Sequence, residues 1–189
     1  MIDLTRLPDD LPVPLDDGAA DHLVGAAIPA ITLIATDGSA IDLDRLGPGR
    51  TILYAYPLTG GPHAQLPDDW DAIPGARGCT AEACAFRDHH ADLLAAGASA
   101  VYGLSTQDSD YQREAVERLH LPFAMLSDDA FALTGALRLP TFDADGRTLL
   151  RRLTMVVSDG IVEKVFYPVF PPDHHAAQVL AWLVRTPGS

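Results

Sequence analysis

The chain has 189 residues, 48% of them apolar, which suffices for one domain with a core of its own. A formal charge of −13, with 13 Lys and Arg scattered among 26 Asp and Glu, opposes phosphate binding and argues against nucleic acid as a partner. No apolar run approaches the roughly 18 residues that cross a bilayer, and no charged-then-apolar leader opens the chain, so the expectation is a protein off the membrane and in the cytoplasm.

Residues 1 to 24 show neither a helical nor a strand period, and Pro8, Pro12 and Pro14 forbid a continuous helix. They read as an extended arm, ordered only where it packs on a body spanning residues 25 to 189. Ile31 to Ala35 and Ala40 to Leu43 are short β-like runs on either side of the turn dipeptide Asp37-Gly38, the signature of a hairpin. Thr51 to Tyr56, ending at Pro57, and Ala100 to Leu104 are unbroken apolar runs that suit strands covered on both faces. Between them, Leu58 to Gly78 is an irregular, Pro- and Gly-rich stretch around Trp70, too long for a connector and placed as a functional loop.

Helical patterning runs from Thr80 to about Ala96, with Ala83, Phe86, His90, Leu93 and Leu94 on one face and Gly97 as the stop. A second helix is expected over Asp110 to Leu119, a short strand over Phe123 to Leu126 and a helix over Asp128 to Leu137. Leu153 to Val157 and Ile161 to Tyr167 form a hairpin turning at Ser158-Asp159-Gly160, and a last helix runs from Asp173 to Val184. Strands alternating with helices, closed by an antiparallel pair, predict a mixed-sheet α/β sandwich.

Only two cysteines occur, Cys79 and Cys84, so no disulfide framework holds the fold and the pair reads as redox chemistry. A thiol reacts as its thiolate, and an unperturbed one, with a pKa near 8.5, is only about one-tenth ionised at about pH 7.5. Cys79 follows Gly78 and opens the helix, where free amides and the helix dipole favour an anion. With Cys79 as N-cap, Glu82 stands at the third helical position and is expected to tie back to the Cys79 backbone in a capping box. Cys84 lies about 140° around the helix and about 7.5 Å along it, so bridging the two sulfurs requires the first turns to unwind. The cycle read from this is oxidation of Cys79 by a peroxide to a sulfenic acid, local unfolding, and condensation with Cys84.

The string Gly78-Cys79-Thr80-Ala81-Glu82-Ala83-Cys84-Ala85-Phe86-Arg87-Asp88 resembles the signature of the bacterioferritin comigratory protein, or peroxiredoxin Q, branch of the peroxiredoxins. The resemblance continues at Tyr56-Pro57, Gly103-Leu104-Ser105-Thr106, Leu126-Ser127-Asp128 and Arg152-Leu153-Thr154-Met155; the arm and the 58–78 insertion have no counterpart. It implies a thioredoxin-like fold, Cys79 as peroxidatic and Cys84 as resolving cysteine, and Arg152 as the guanidinium that pairs with the thiolate. It also implies a hydroperoxide substrate and thioredoxin or a similar thiol as reductant; no cofactor and no metal are expected, and the assembly is expected to be a monomer or homodimer. The family places a hydroxyl three residues before the peroxidatic cysteine, where this chain has Ala76. Either Thr59, following Pro57, folds back to restore it, or Thr80, Arg77 and the amides of the stretch from Gly75 to Gly78 substitute. Arg151 and Arg152 point to opposite faces of a strand, so only one serves the site, and Arg152 is chosen. Arg87 reads as support for Arg152 or Glu82, or equally as an exposed helical ion pair. His174 and His175 read as a solvated turn, and adjacent histidines chelate a metal poorly. The alternative function is a thioredoxin-fold redox sensor or binding protein that uses the same disulfide, with the insertion as its contact loop.

Overall fold

The computed structural model describes residues 7, 8, 10–61 and 66–187; part of the expected arm, and residues 62–65 of the insertion, lie outside them. After a 3-10 turn at Asp21–Leu23, the expected hairpin forms from β1 (Thr32–Ala35) and β2 (Ala40–Asp42), paired with Leu33 opposite Ile41. Next come β3 (Arg50–Ala55), α1 (Cys79–Asp88), α2 (His90–Ala95), β4 (Ala98–Ser105), α3 (Ser109–Leu119), β5 (Met125–Ser127) and α4 (Ala132–Leu137). The chain closes with β6 (Thr141–Ala144), β7 (Arg147–Leu150), β8 (Leu153–Ser158), β9 (Ile161–Phe166) and α5 (His175–Arg185).

Seven strands form one mixed sheet in the order β2-β1-β5-β4-β3-β8-β9. The interior strand β3 runs parallel to β4 and antiparallel to β8, with Ile52 between Val101 and Val156. All six residues of β3 are buried, as an apolar run without alternation requires. Its side chains divide by the strand period of two. Leu53 and Ala55 join Leu33, Leu104, Leu126, Leu133 and Met155 in one core, whereas Ile52 and Tyr54 join Phe86, Leu93, Val101, Met125, Val179 and Leu183 in the other. The sheet is therefore covered on both sides, by α4 and residues near Leu23 on the first and by α1, α2, α3 and α5 on the second.

Three expectations change. The long helix over residues 80–96 is two helices, broken at His89, whose φ of −97° and ψ of 3° leave the α region while its ring Nδ1 donates to the Ala85 carbonyl, 3.0 Å away. The helix expected from Asp128 begins four residues later, with Phe131 at its N-cap, and the Asp128 carboxylate accepts from the first-turn amides of Leu133 (3.0 Å) and Thr134 (2.8 Å). The β6–β7 hairpin, turning at Asp145 and Gly146, was not expected. It has a structural consequence: with the insertion it encloses a third, smaller core of Leu58, Trp70, Ala76, Ala144 and Leu149, with Trp70 and Phe142 rings 6.1 Å apart.

Candidate active site

Gly78 holds the start of α1. Its φ of +109° is open to glycine and strained for any other residue, and a β-carbon there would overlap Pro172 Cγ. Gly78 is thus the N-cap and Cys79 the first helical residue. The first intrahelical bond runs from the Glu82 amide to the Gly78 carbonyl at 2.9 Å, so the amides of residues 79–81 have no acceptor within the helix and face whatever occupies its N-terminal end.

The expected capping box is absent, because the register is shifted by one residue and Glu82 has another partner. The Glu82 carboxylate, fully buried, forms an ion pair with Nη1 of Arg152, which is also buried. Nη2 of Arg152 donates to Cys79 Sγ at 3.2 Å, to the Ala76 carbonyl at 3.2 Å and to the Arg77 carbonyl at 3.3 Å. Arg151 instead donates to the Thr141 carbonyl at 3.2 Å. Burial opposes the charge on Arg152, yet Glu82 and Cys79 outweigh it and its pKa is raised; burial pushes the Glu82 carboxyl up to about 7 against the pull of Arg152. A permanently charged planar donor is thereby locked beside the sulfur.

Cys79 is 4% exposed, and its thiol donates to the Ala76 carbonyl at 3.6 Å. It opens into a cavity of about 10 Å³ walled by Leu58, Leu66, Trp70, Arg77 and Thr80. Arg77 sits here through an ion pair with Asp71 at 3.1 Å, which clips the end of the insertion to its own 3-10 turn. The structure so brings together Cys79, Arg152, Glu82, Gly78, Thr80 and Arg77.

Thr59 does not join them. Its hydroxyl and amide both donate to Gln107 Oε1, at 3.1 and 2.9 Å, and among the described residues no hydrogen bond links it to Cys79. The Thr59 hydroxyl expected over the sulfur is therefore committed elsewhere, and the Ala76 position contributes its backbone carbonyl in place of a side chain. Pro57, whose carbonyl accepts from Ser105 at 3.3 Å, lies at the end of β3 and positions this loop. Arg87 does not support Arg152 or Glu82; it donates to Asp88 (2.8 Å) and to the Leu119 carbonyl (2.9 Å), near Cys84. Cys84 is half-buried on α1, and burial pushes its thiol pKa up. His175 is no solvated turn: it is buried between Phe86 and Phe166, with Nε2 2.8 Å from Thr154 Oγ1. No sequence signal marked Trp70 and Leu66 as walls of the thiol cavity, since only the unexpected β6–β7 hairpin presses them there.

Fold and site together define a thioredoxin-like protein with a guanidinium-paired cysteine at a helix start. A family model described as Redoxin matches residues 23–180, and the chain belongs to that family. Within it the similarity is to the peroxiredoxin Q branch. Peroxiredoxin Q, chloroplastic, of Oryza sativa subsp. japonica is 30% identical over 82% of this chain, and that of Suaeda salsa 30% over 84%. The chain spans 64% and 66% of the length of these two relatives. Among solved structures, peroxidoxin BcpB of Mycobacterium tuberculosis aligns with a TM-score of 0.70 at 25% identity, over 88% of this chain and 98% of that one. A Xanthomonas campestris bacterioferritin comigratory protein, described for its alkyl peroxide reduction activity, shares the fold at a TM-score of 0.61 and 22% identity, over 92% and 97% of the two chains.

Proposed function

We propose that the chain is a thiol-dependent peroxidase. The observation that carries this reading is the Cys79 sulfur at the N-terminal end of α1, 3.2 Å from a buried guanidinium and open to a small cavity. The Cys79 thiolate attacks one oxygen of a hydroperoxide, the O–O bond breaks, and the other oxygen leaves as an alcohol or water after taking a proton. The developing negative charge falls beside Arg152 and the amides of residues 79–81, where fixed donors stabilise it. The Cys79 sulfenic acid is then attacked by the Cys84 sulfur, water leaves, and an intramolecular disulfide forms. An external dithiol such as thioredoxin returns both cysteines to thiols by exchange and is itself oxidised. The compartment in this reading is the cytoplasm, whereas the names of the plant relatives assign those proteins to the chloroplast.

Peroxide consumption with thioredoxin, or with dithiothreitol as substitute, tests the reading. Turnover by the native chain, abolished in Cys79→Ser, and a single turnover ending in a stable sulfenic acid in Cys84→Ser are the expected results. Oxidation that stops after one equivalent in the native chain, whatever dithiol is supplied, would instead favour a redox sensor.

A further inference from the structure

Resting on the peroxidase reading, we infer that the insertion makes this site selective for hydrogen peroxide over branched or aromatic hydroperoxides, and that Trp70 is the residue that sets the limit.

The cavity in front of Cys79 is about 10 Å³, room for about one water-sized molecule. Hydrogen peroxide, two oxygens long, fits such a space with slight adjustment; a cumyl or tert-butyl group does not. Two of its walls, Leu66 and Trp70, come from the stretch between β3 and α1 that has no counterpart in the resemblance, and a third, Leu58, opens that stretch. The Trp70 wall is fixed on three sides. Trp70 is 4% exposed, its ring lies 6.1 Å from that of Phe142 in the β6–β7 hairpin, and it shares the third core with Ala76 and Leu149. The neighbouring Asp71 is paired with Arg77, and the Asp68 amide donates to Asp145 in the hairpin turn at 3.3 Å. An indole held this way does not swing aside for a bulky substituent without breaking the third core.

The polar half of the cavity agrees. Arg77, Gly78 and Thr80 line it, so the Arg77 guanidinium and the helix-start amides provide donors for the oxygens of the smallest hydroperoxide. An alkyl substituent would put apolar surface against these donors and leave at least one without a partner.

The test compares rapid single-turnover oxidation of Cys79 by hydrogen peroxide and by cumene hydroperoxide, read as loss of alkylatable thiol. The native chain should react at least about tenfold faster with hydrogen peroxide. Trp70→Ala should raise the cumene-to-hydrogen-peroxide rate ratio about tenfold or more, and Trp70→Phe should bring it back towards the native value. Because Trp70 is a core residue, Leu66→Ala serves as a second opening of the same cavity from its less buried side, with circular dichroism confirming that each variant is folded. Equal native rates for the two peroxides, or a ratio unmoved in every folded variant, would overturn the inference and leave the peroxidase reading intact. A native chain inert towards hydrogen peroxide would overturn the peroxidase reading itself, and the inference with it.

Discussion

Cys79 in its neutral form both donates to the Ala76 carbonyl and accepts from Arg152; once ionised it can only accept, and that carbonyl then opposes it. The guanidinium beside it is permanently charged and cannot retreat, being tied to Glu82 and two loop carbonyls. Near this pair lies a second buried ionisable group. Burial, foremost, pushes His175 down from 6.5 to about 4; its contact with Gln178 resists this and the positive charge of Arg152 adds to it. Between those values the unfolded chain binds a proton that the native one refuses, so the contribution of His175 to stability is complete above about pH 6.5 and is lost as pH falls towards about 4. Glu82 acts in the opposite sense, since its raised pKa favours the folded state on the acid side, over the interval from 4.5 to about 7. Comparing native chain and variant isolates the histidine. The stability cost of His175→Gln, from urea unfolding, should shrink by about 2–3 kcal/mol between about pH 7.5 and about pH 4.5. A cost that is the same at both pH values would show that this imidazole does not titrate as described.

At the scale of elements, the start of α1 depends on Gly78, where a positive φ and the Pro172 ring leave no room for a side chain. Gly78→Ala combines backbone strain with a clash against a rigid proline. It should cost about 1–3 kcal/mol in urea unfolding and slow Cys79 oxidation together, because the same backbone aims the sulfur. An unchanged midpoint would mean that the chain adapts there at no cost. The elements that were legible in the sequence are those with a strong local signal. The apolar runs of β3 and β4 have no polar alternation to make them one-sided, and Asp37-Gly38 and Ser158-Asp159-Gly160 punctuate two hairpins. The break at His89 and the β6–β7 hairpin escaped, although Asp145-Gly146 was a turn signal of the same kind; the flanking strands are four residues each and partly exposed, so their period is weak. In the site, Cys79 and Arg152 were reachable through the motif string. Glu82 stands one helical position further into α1 than the capping-box reading has it, and its ion pair depends on Arg152, in the link between β7 and β8, 70 residues away. Of the two alternatives for the missing hydroxyl, the Thr59 one fails because its partner, Gln107, lies in the loop after β4, and no local pattern announces a contact across 48 residues.

For the molecule as a whole, the proposed disulfide sets a mechanical problem. Five residues along an α-helix separate the α-carbons by more than about 7 Å, so Cys79 and Cys84 cannot be joined while α1 is intact. What resists unwinding is tertiary contact: Phe86 stacks on Tyr54 with centroids 4.3 Å apart and meets the His175 ring at 5.7 Å, and Pro172 presses on the helix start. All of these lie on one face of the sheet. The opposite core, built on Leu53, Leu104, Leu126 and Met155, has no member in α1. A sheet covered by two cores can therefore give up one helix while retaining its hydrogen-bond ladder, and opening confined to such a unit is cheaper than global unfolding. Hydrogen exchange followed by mass spectrometry should show amides of residues 79–88 losing protection in the peroxide-oxidised protein, and those of β3, β4 and β8 retaining it. Loss of protection across β3 and β8 as well would mean that the second core collapses with its helix. An oxidised, disulfide-linked protein whose α1 amides stay protected would contradict the helix geometry on which the resolving role of Cys84 rests.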